Sequence, residues 1–273
     1  MNSQEKALSE RLELAIEAAR EAGRHTLSYF QRDSLQVDRK SDDSPVTVAD
    51  REAEQLLRQR ISVEFPDDAI LGEEFGEQPG TSGFRWILDP IDGTKSFIHG
   101  VPLFTNLVGV EWENDSAIGV INVPALDECA YAAKGRGAWH LRGDEPPKPA
   151  RVSTCEQLDK GLFLTSEPEG FANRGVFDTF RQLVEAAWLT RTWGDAYGYF
   201  LVATGRAEAM VDPILEVWDA AALKPVIEEA GGVFTDFKGD PTIYNREAIG
   251  SNGLVHNQVL AITRQVSGDE GRS

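Results

Sequence analysis

Residues 86–94 have the sequence WILDPIDGT, in which a short apolar run passes directly into two aspartates. Asp89 and Asp92 are three residues apart, and Pro90 fixes one bend between them. A glycine and a threonine follow. Such a segment is typical of an ordinary turn or helix N-cap. The spacing also allows both carboxylates to converge on one point, so this segment alone leaves two interpretations open.

Other acidic residues stand at comparable positions elsewhere in the chain. Glu73 and Glu74 follow an apolar run in AILGEEFG, and Asp50 and Asp219 open predicted helices. Clustered carboxylates repel each other unless a cation lies among them, and hard oxygen ligands suit Mg²⁺. No group of histidines and cysteines offers softer ligands, because the four histidines are dispersed. The pattern therefore favours a magnesium site.

The composition limits the classes of partner. The chain has 273 residues, 41% of them hydrophobic, and a formal net charge of −18. A field of that sign disfavours nucleic acid and anionic lipid, but it allows a small phosphorylated substrate whose charge metal ions neutralise. We find no apolar run of membrane-spanning length and no secretory signal, so we expect a cytoplasmic protein. Cys129 and Cys155 are predicted to be separate thiols.

The hydrophobic pattern predicts two unlike halves. Helices are expected over 5–30 and 47–65, the second opened by a capping box of Thr47 and Asp50. Short strands follow, with a hairpin turn at 134–137 and a candidate linker at 142–150. Beyond it, strands and helices alternate. We predict an α+β part over 1–145 that carries the metal motifs. An α/β part over 146–273 carries Asp219 and the specificity residues.

Two motifs together carry a family resemblance. DPIDGTKSF at 89–97 and WDAAAL at 218–223, with GEE and TVAD upstream in the same order, resemble the inositol monophosphatase family of metal-dependent phosphatases. The resemblance extends over nearly the whole chain. It implies a layered αβαβα sandwich of the α+β or α/β class, Mg²⁺-dependent hydrolysis of phosphoric monoesters, and a homodimer.

The resemblance also implies a set of metal ligands for two Mg²⁺ ions and a weaker third. The ligands would be four carboxylates and one backbone carbonyl: Glu73, Asp89, Ile91 (through its carbonyl), Asp92 and Asp219. Glu74 would support these ligands from behind.

Catalytic and phosphate-binding roles follow from the same resemblance. Thr94 would orient or activate the attacking water with help from Asp50, and Glu73 would assist as ligand of the third ion. The backbone N–H groups of Gly93 and Thr94 would bind the phosphate, with Asp92 beside it. A non-catalytic member that binds only metal or partners is the remote alternative, and it would not need the threonine.

Two further segments bear on the substrate. TWGDAYGY at 192–199 and MVDP at 210–213 resemble the histidinol-phosphate phosphatase branch of the family. The predicted reaction is hydrolysis of L-histidinol phosphate to L-histidinol and phosphate, a step of histidine biosynthesis. Gly194, Asp195 and Asp212 would bind this cationic substrate. Asp195 could equally cap a helix, and Tyr199 is interpreted as a packing residue. The alternative substrate is inositol-1-phosphate or another sugar phosphate.

Overall fold

The structure is a computed structural model, and it describes residues 3–32, 35–40 and 44–265. Its helices are α1 Ser3–Leu27, α2 Val48–Glu64, α3 Thr94–Ile98, α4 Pro168–Asn173, α5 Phe177–Ala186, α6 Ala196–Ala203, α7 Val217–Glu229 and α8 His256–Thr263. Its strands are β1 Val37–Arg39, β2 Pro45–Thr47, β3 Ala69–Gly72, β4 Gly76–Gln78, β5 Phe84–Asp92, β6 Thr105–Trp112, β7 Asp115–Val123, β8 Glu128–Ala133, β9 Ala138–Arg142, β10 Lys148–Pro149, β11 Leu162–Leu164, β12 Leu189–Arg191, β13 Ala209–Asp212, β14 Val233–Thr235 and β15 Ala248–Ser251.

The strands form two main sheets. The larger has the order β10-β9-β8-β7-β6-β5-β3-β4 and is antiparallel except where β3 runs parallel to β5. The smaller has the order β12-β11-β13-β15-β14, and β11 lies parallel to both β12 and β13. A short ribbon of β1 and β2 precedes them. The short strands expected after the second helix, and the alternation of strands and helices expected beyond residue 150, are both present.

The helices cover both sheets in layers. α1 and α2 pack on one face of the large sheet, around buried Leu57, Ile61 and Trp86. α6 and α7 lie between the two sheets. α5 and α8 cover the outer face of the small sheet. The order is helix, sheet, helix, sheet, helix, which confirms the predicted αβαβα sandwich. Among the described residues, no helix has the length and apolar character needed to cross a membrane.

A pair of glycines brings α7 unusually close to the large sheet. Gly109 of β6 and Gly119 of β7 are cross-strand partners. A Cβ on Gly109 would lie 2.7 Å from the Cβ of Ala221, and one on Gly119 would lie 2.1 Å from the carbonyl oxygen of Ala222. Because neither position has room for a side chain, the backbone of α7 rests directly on the strands. This contact lies just beyond the first turn of α7.

The segment WILDPIDGT does not end its strand where the apolar run ends. β5 continues through Asp92, which pairs with Thr105, and its register shifts between Asp89 and Asp92. An irregularity of this kind accommodates Pro90, which has no N–H to donate to the ladder. The interpretation of a strand ending in a simple turn is therefore wrong, and the bulge re-aims both carboxylates.

The predicted linker at 142–150 is part of the large sheet. Lys148 and Pro149 pair with His140 and Trp139, so the segment closes a hairpin onto β9. Its prolines and charges fit an edge strand, where one face of the backbone needs no partner. The turn at 134–137 between β8 and β9 is confirmed. The division of the chain at residue 145 stays a prediction.

Candidate active site

Three carboxylates from distant parts of the chain meet at one point. Asp89 and Asp92 come from the irregular end of β5, and Asp219 comes from the first turn of α7. One oxygen from each lies within 4.8 Å of the others. The Asp89 side chain is almost fully buried, and its Oδ1 atom has no hydrogen-bond partner among the described residues. An orphaned buried acceptor of this kind calls for a ligand.

The electrostatics of this group also call for a cation. Burial, followed by repulsion from the neighbouring carboxylates, raises the pKa of Asp89 and of Asp92 well above its usual range. Burial raises the pKa of Asp219 to about 7, and the charge of Glu73 adds to the effect. Buried charges of one sign are costly without a counter-ion. The carboxylate oxygens are hard donors, so the group fits Mg²⁺.

Glu73 lies beside the group, at the turn between β3 and β4, and lines the same cavity. Its Oε1 atom accepts a hydrogen bond of 2.7 Å from Lys40 Nζ, which donates a second of 2.7 Å to Glu74 Oε1. Burial disfavours the lysine charge, but the two carboxylates outweigh it and raise the Lys40 pKa. The predicted ligand Glu73 is thus near the three aspartates with a lysine ammonium as its partner. Lys40 was not singled out from the sequence.

The Glu73–Glu74 turn is held by a buried residue that the sequence did not single out. Glu54 of α2 is fully buried, and its Oε2 accepts a 2.7 Å hydrogen bond from the Glu74 backbone N–H. A Cβ on Gly72 would lie 2.0 Å from Glu54 Oε1, so the turn requires glycine there. The available signal was spacing, because Glu54 lies four residues after Asp50 and therefore on the same face of α2.

The predicted pair of Thr94 and Asp50 is present. Thr94 Oγ1 lies 3.4 Å from Asp50 Oδ1 and 3.1 Å from the carbonyl oxygen of Ile91. Asp50 Oδ2 accepts hydrogen bonds from the N–H (2.8 Å) and the hydroxyl (2.6 Å) of Thr47, which confirms the capping box. Burial raises the Asp50 pKa to about 6. The threonine hydroxyl is therefore held at the edge of the cavity by a rigid helix terminus.

Asp92 connects the two halves of the molecule. Its Oδ2 atom accepts 2.8 Å hydrogen bonds from Thr105 Oγ1 and from the backbone N–H of Ala196, at the start of α6. Gly93 follows at a φ of 80°, and a Cβ there would lie 2.7 Å from Asp195 Oδ2. Glycine is required by both the backbone angle and this close approach. Thr105 lies far from the motif in sequence, and no local pattern identified it.

Both predicted specificity aspartates line this cavity, whose volume is about 250 Å³. Asp195 occupies the N-cap position of α6, but its side chain makes no capping hydrogen bond, so the interpretation as a simple cap is wrong. Asp212 is buried and accepts hydrogen bonds from the Ser166 N–H (2.8 Å) and Thr165 Oγ1 (3.1 Å). Burial raises the Asp212 pKa to about 7.

Gly194 is placed differently from these aspartates. A Cβ at this position would lie 2.4 Å from the Cα of Ser166. The glycine therefore allows the segment that carries Asp195 to lie against the segment that binds Asp212. Gly194 thus allows two backbone segments to approach each other closely. Its contact with the substrate stays a prediction.

The comparisons with known proteins agree with this geometry. Residues 7–267 match the model of the inositol monophosphatase family. A histidinol-phosphatase from Chlorobaculum parvum is 47% identical over 92% of this chain and 96% of its own length. One from Mycobacterium tuberculosis is 38% identical over 91% of this chain and 96% of its own length.

A solved structure of an IMPase from Thermotoga maritima superposes with a TM-score of 0.83 at 30% identity. The match covers 95% of this chain and 99% of that one. Members of this family are generally Mg²⁺-dependent, which agrees with the acidic cluster. The chain belongs to the inositol monophosphatase family and is a phosphoric monoester hydrolase.

Proposed function

We propose that the enzyme hydrolyses L-histidinol phosphate to L-histidinol and phosphate. The observation that carries this proposal is that Asp195 and Asp212 line the same small cavity as Asp89, Asp92 and Asp219. One set of carboxylates suits metal and phosphate, and the other faces the remainder of the substrate. Similarity to proteins named histidinol-phosphatase supports the same substrate.

The chemistry of the substrate fits the second set of carboxylates. L-histidinol phosphate carries a primary ammonium and an imidazole, and both can be cationic. A buried carboxylate such as Asp212 binds a cation through a charge-assisted hydrogen bond that solvent screens little. An inositol ring offers only hydroxyl groups at the corresponding place and gains less from two carboxylates.

We propose that two to three Mg²⁺ ions are held by the side chains of Glu73, Asp89, Asp92 and Asp219 and the carbonyl of Ile91. Magnesium bound there would neutralise the phosphate charge, acidify water and stabilise the leaving alkoxide. The Oδ1 atom of Asp89, which has no hydrogen-bond partner among the described residues, supports this assignment, since a bound cation would satisfy it.

The chain itself positions the reactants. The Thr94 hydroxyl, held by Asp50, orients the attacking water toward phosphorus. Backbone N–H groups of Gly93 and Thr94 at the start of α3 bind phosphate oxygens. Glu74, anchored by Glu54, keeps the neighbouring Glu73 in place.

Turnover of several esters tests the substrate. With Mg²⁺ present, kcat/KM should be highest for L-histidinol phosphate when compared with inositol-1-phosphate, fructose-1,6-bisphosphate and 3′-phosphoadenosine 5′-phosphate. Higher kcat/KM for inositol-1-phosphate would overturn the proposal in favour of the inositol alternative, which the similarity to the Thermotoga maritima IMPase structure favours.

We also propose that the enzyme is a homodimer, which is supported by the family resemblance alone. The chain mass is 30.1 kDa. Light scattering coupled to size exclusion should therefore return twice that mass, and a mass of one chain would contradict the proposal. The cytoplasmic location expected from the sequence stays a prediction.

A further inference from the structure

Tyr199 is a buried tyrosine whose hydroxyl lacks a partner. The residue belongs to α6 and is 1% exposed. Its hydroxyl makes no hydrogen bond with any described residue. The ring lies against Gly250, where a Cβ would come within 2.6 Å of the Tyr199 Cδ1 atom. The ring therefore has a tailored packing position, but its polar end is unsatisfied.

Tyr199 is also part of the wall of the active-site cavity. Tyr199 lines this cavity together with Asp212 and Asp219. Burial, and then the charge of Asp212, raises the pKa of the phenol well above its usual range, and Asp219 and Asp92 add to the effect. Asp212 is thus close enough for the phenol and the carboxylate to interact directly, although the pair does not meet the geometry of a hydrogen bond. Buried hydroxyl groups in folded proteins nearly always have a partner, so a ligand group is the expected one.

The neighbouring carboxylate defines what this ligand group must be. Asp212 Oδ1 accepts hydrogen bonds from the Ser166 backbone N–H and from Thr165 Oγ1, and the Ser166 side chain also interacts with this carboxylate. A ligand group must donate to this carboxylate, and it can either donate to the phenol oxygen or accept from the phenol O–H. A cation meets the charge of Asp212 as well, so a nitrogen cation with several N–H donors fits best.

We infer that the Tyr199 hydroxyl and Asp212 together form a subsite for the nitrogen cation of the substrate, which makes Tyr199 a specificity-determining residue. The inference rests on the proposed function for the direction of the substrate, with its phosphate at Asp89, Asp92 and Asp219. It replaces the interpretation of Tyr199 as a packing residue only, because the ring packs while the hydroxyl binds.

The test is the substitution Tyr199→Phe, which removes one oxygen and keeps the ring. Purified wild type and variant are assayed with Mg²⁺ on L-histidinol phosphate and on inositol-1-phosphate. We expect the ratio of kcat/KM for the two esters to fall by about 10- to 100-fold, as for loss of a hydrogen bond to a charged group. The fall should lie mainly in a higher KM for L-histidinol phosphate.

Tyr197→Phe is the matched control. Tyr197 lies on the same helix, but it stacks on Phe200 with ring centroids 5.9 Å apart and does not line the cavity. This variant should keep the wild-type ratio. The melting temperature of Tyr199→Phe should be equal to or above that of the wild type, because the lost hydroxyl has no hydrogen-bond partner among the described residues.

Two outcomes would overturn the inference. One is an unchanged ratio in Tyr199→Phe, and the other is an equal fall for both esters together with a lower melting temperature, which marks a structural hydroxyl. A wild type that does not prefer L-histidinol phosphate would defeat the proposed function. The effect of Tyr199→Phe on the ratio would still decide the inference, so the two failures are distinguishable.

Discussion

The cavity contains two groups of carboxylates that differ in their mutual repulsion and in their hydrogen-bond partners. In the metal-side group, Asp89, Asp92 and Asp219 repel one another, and Asp89 Oδ1 has no partner. On the substrate side, Asp212 already receives two hydrogen bonds on Oδ1 from its own chain. Asp92 and Asp212 each accept two hydrogen bonds from the chain, so the difference lies in the mutual repulsion of the first group and in Asp89 Oδ1, which has no partner among the described residues. Removing charge should therefore have different consequences on the two sides.

The largest effect is expected from Asp92→Asn, which removes a charge from the metal-side group. Asparagine can still accept from Thr105 and Ala196 through its carbonyl oxygen, so the fold should persist. We expect kcat to fall by about 100- to 1000-fold, as when a preorganised electrostatic contact is lost. In a chelator, the melting temperature of the variant should exceed that of the wild type, because a buried repulsion has been relieved.

Asp178→Asn is the control for this comparison, since Asp178 is an exposed aspartate whose side chain is 67% accessible. It should change neither turnover nor melting temperature in chelator. Wild-type turnover with Mg²⁺ in Asp92→Asn would contradict its assignment as a metal ligand.

A smaller effect, confined to one substrate, is expected from Asp212→Asn on the other side of the cavity. The amide can still accept from Ser166 and Thr165 but no longer attracts a cation. We expect KM for L-histidinol phosphate to rise by about 10- to 100-fold, with a much smaller rise for inositol-1-phosphate. Steady-state kinetics on both esters measure this, and equal increases would remove the role in cation recognition. Asp195→Ala should act in the same direction.

A substitution at a residue that supports the metal-side group should weaken Mg²⁺ binding less than the loss of a metal ligand does. Glu54 holds the Glu74 backbone, and Glu54→Gln keeps one acceptor while removing the charge that pairs with Arg58 Nε at 2.7 Å. We expect Mg²⁺ affinity to fall by about 10-fold, the usual scale for residues that orient metal ligands. Calorimetric titration with Mg²⁺ checks this. Unchanged affinity would show that the Glu73–Glu74 turn holds its shape alone.

The smallest effect concerns the acid sensitivity of the fold away from the cavity, to which a buried histidine should contribute. His256 is buried; its Nδ1 lies 2.9 Å from Ser251 Oγ and its Nε2 lies 3.2 Å from Thr235 Oγ1. Burial, with a contribution from Arg264, lowers its pKa from 6.5 to about 4. Below pH 6.5 the histidine of the unfolded chain therefore binds a proton, whereas that of the folded chain stays neutral. The free energy of unfolding falls as the pH falls toward 4.

Between pH 7 and pH 5.5 this histidine should cost about 1 kcal/mol of unfolding free energy. Urea unfolding of the wild type and of His256→Gln, both in chelator, measures the difference. The pH dependence should be smaller in the variant. Identical slopes would mean that His256 is not held neutral in the folded protein.

The sequence predicted the parts of this site that belong to short motifs. DPIDGT and WDAAAL identified Asp89, Asp92 and Asp219, because their chemistry depends on residue type at fixed spacing. It did not identify Thr105 or Glu54, since each acts through a contact that only the packed sheet and helix create. Tyr199 was interpreted as a packing residue, which is the most common role of a buried tyrosine. The missing hydrogen bond of its hydroxyl is visible only in the folded chain.

The fold itself was predicted in outline and missed in detail for related reasons. The alternation of strands and helices identified the layers, whereas the continuation of β5 through Asp92 depends on its pairing with Thr105 of β6. The edge hairpin of Lys148 and Pro149 depends likewise on β9. Local composition favoured a turn and a linker in these two places, and tertiary pairing overrode it.

The glycine pair Gly109 and Gly119 gives the enzyme a rigid reference point. These residues touch α7 just beyond its first turn, so the position of Asp219 depends on two glycines that do not line the active-site cavity. Asp212 stands on β13 of the other sheet. A substitution at Asp212 can therefore change the substrate wall while the glycine contacts behind Asp219 stay in place. A methyl group at either glycine would instead misalign the chemistry for every substrate alike.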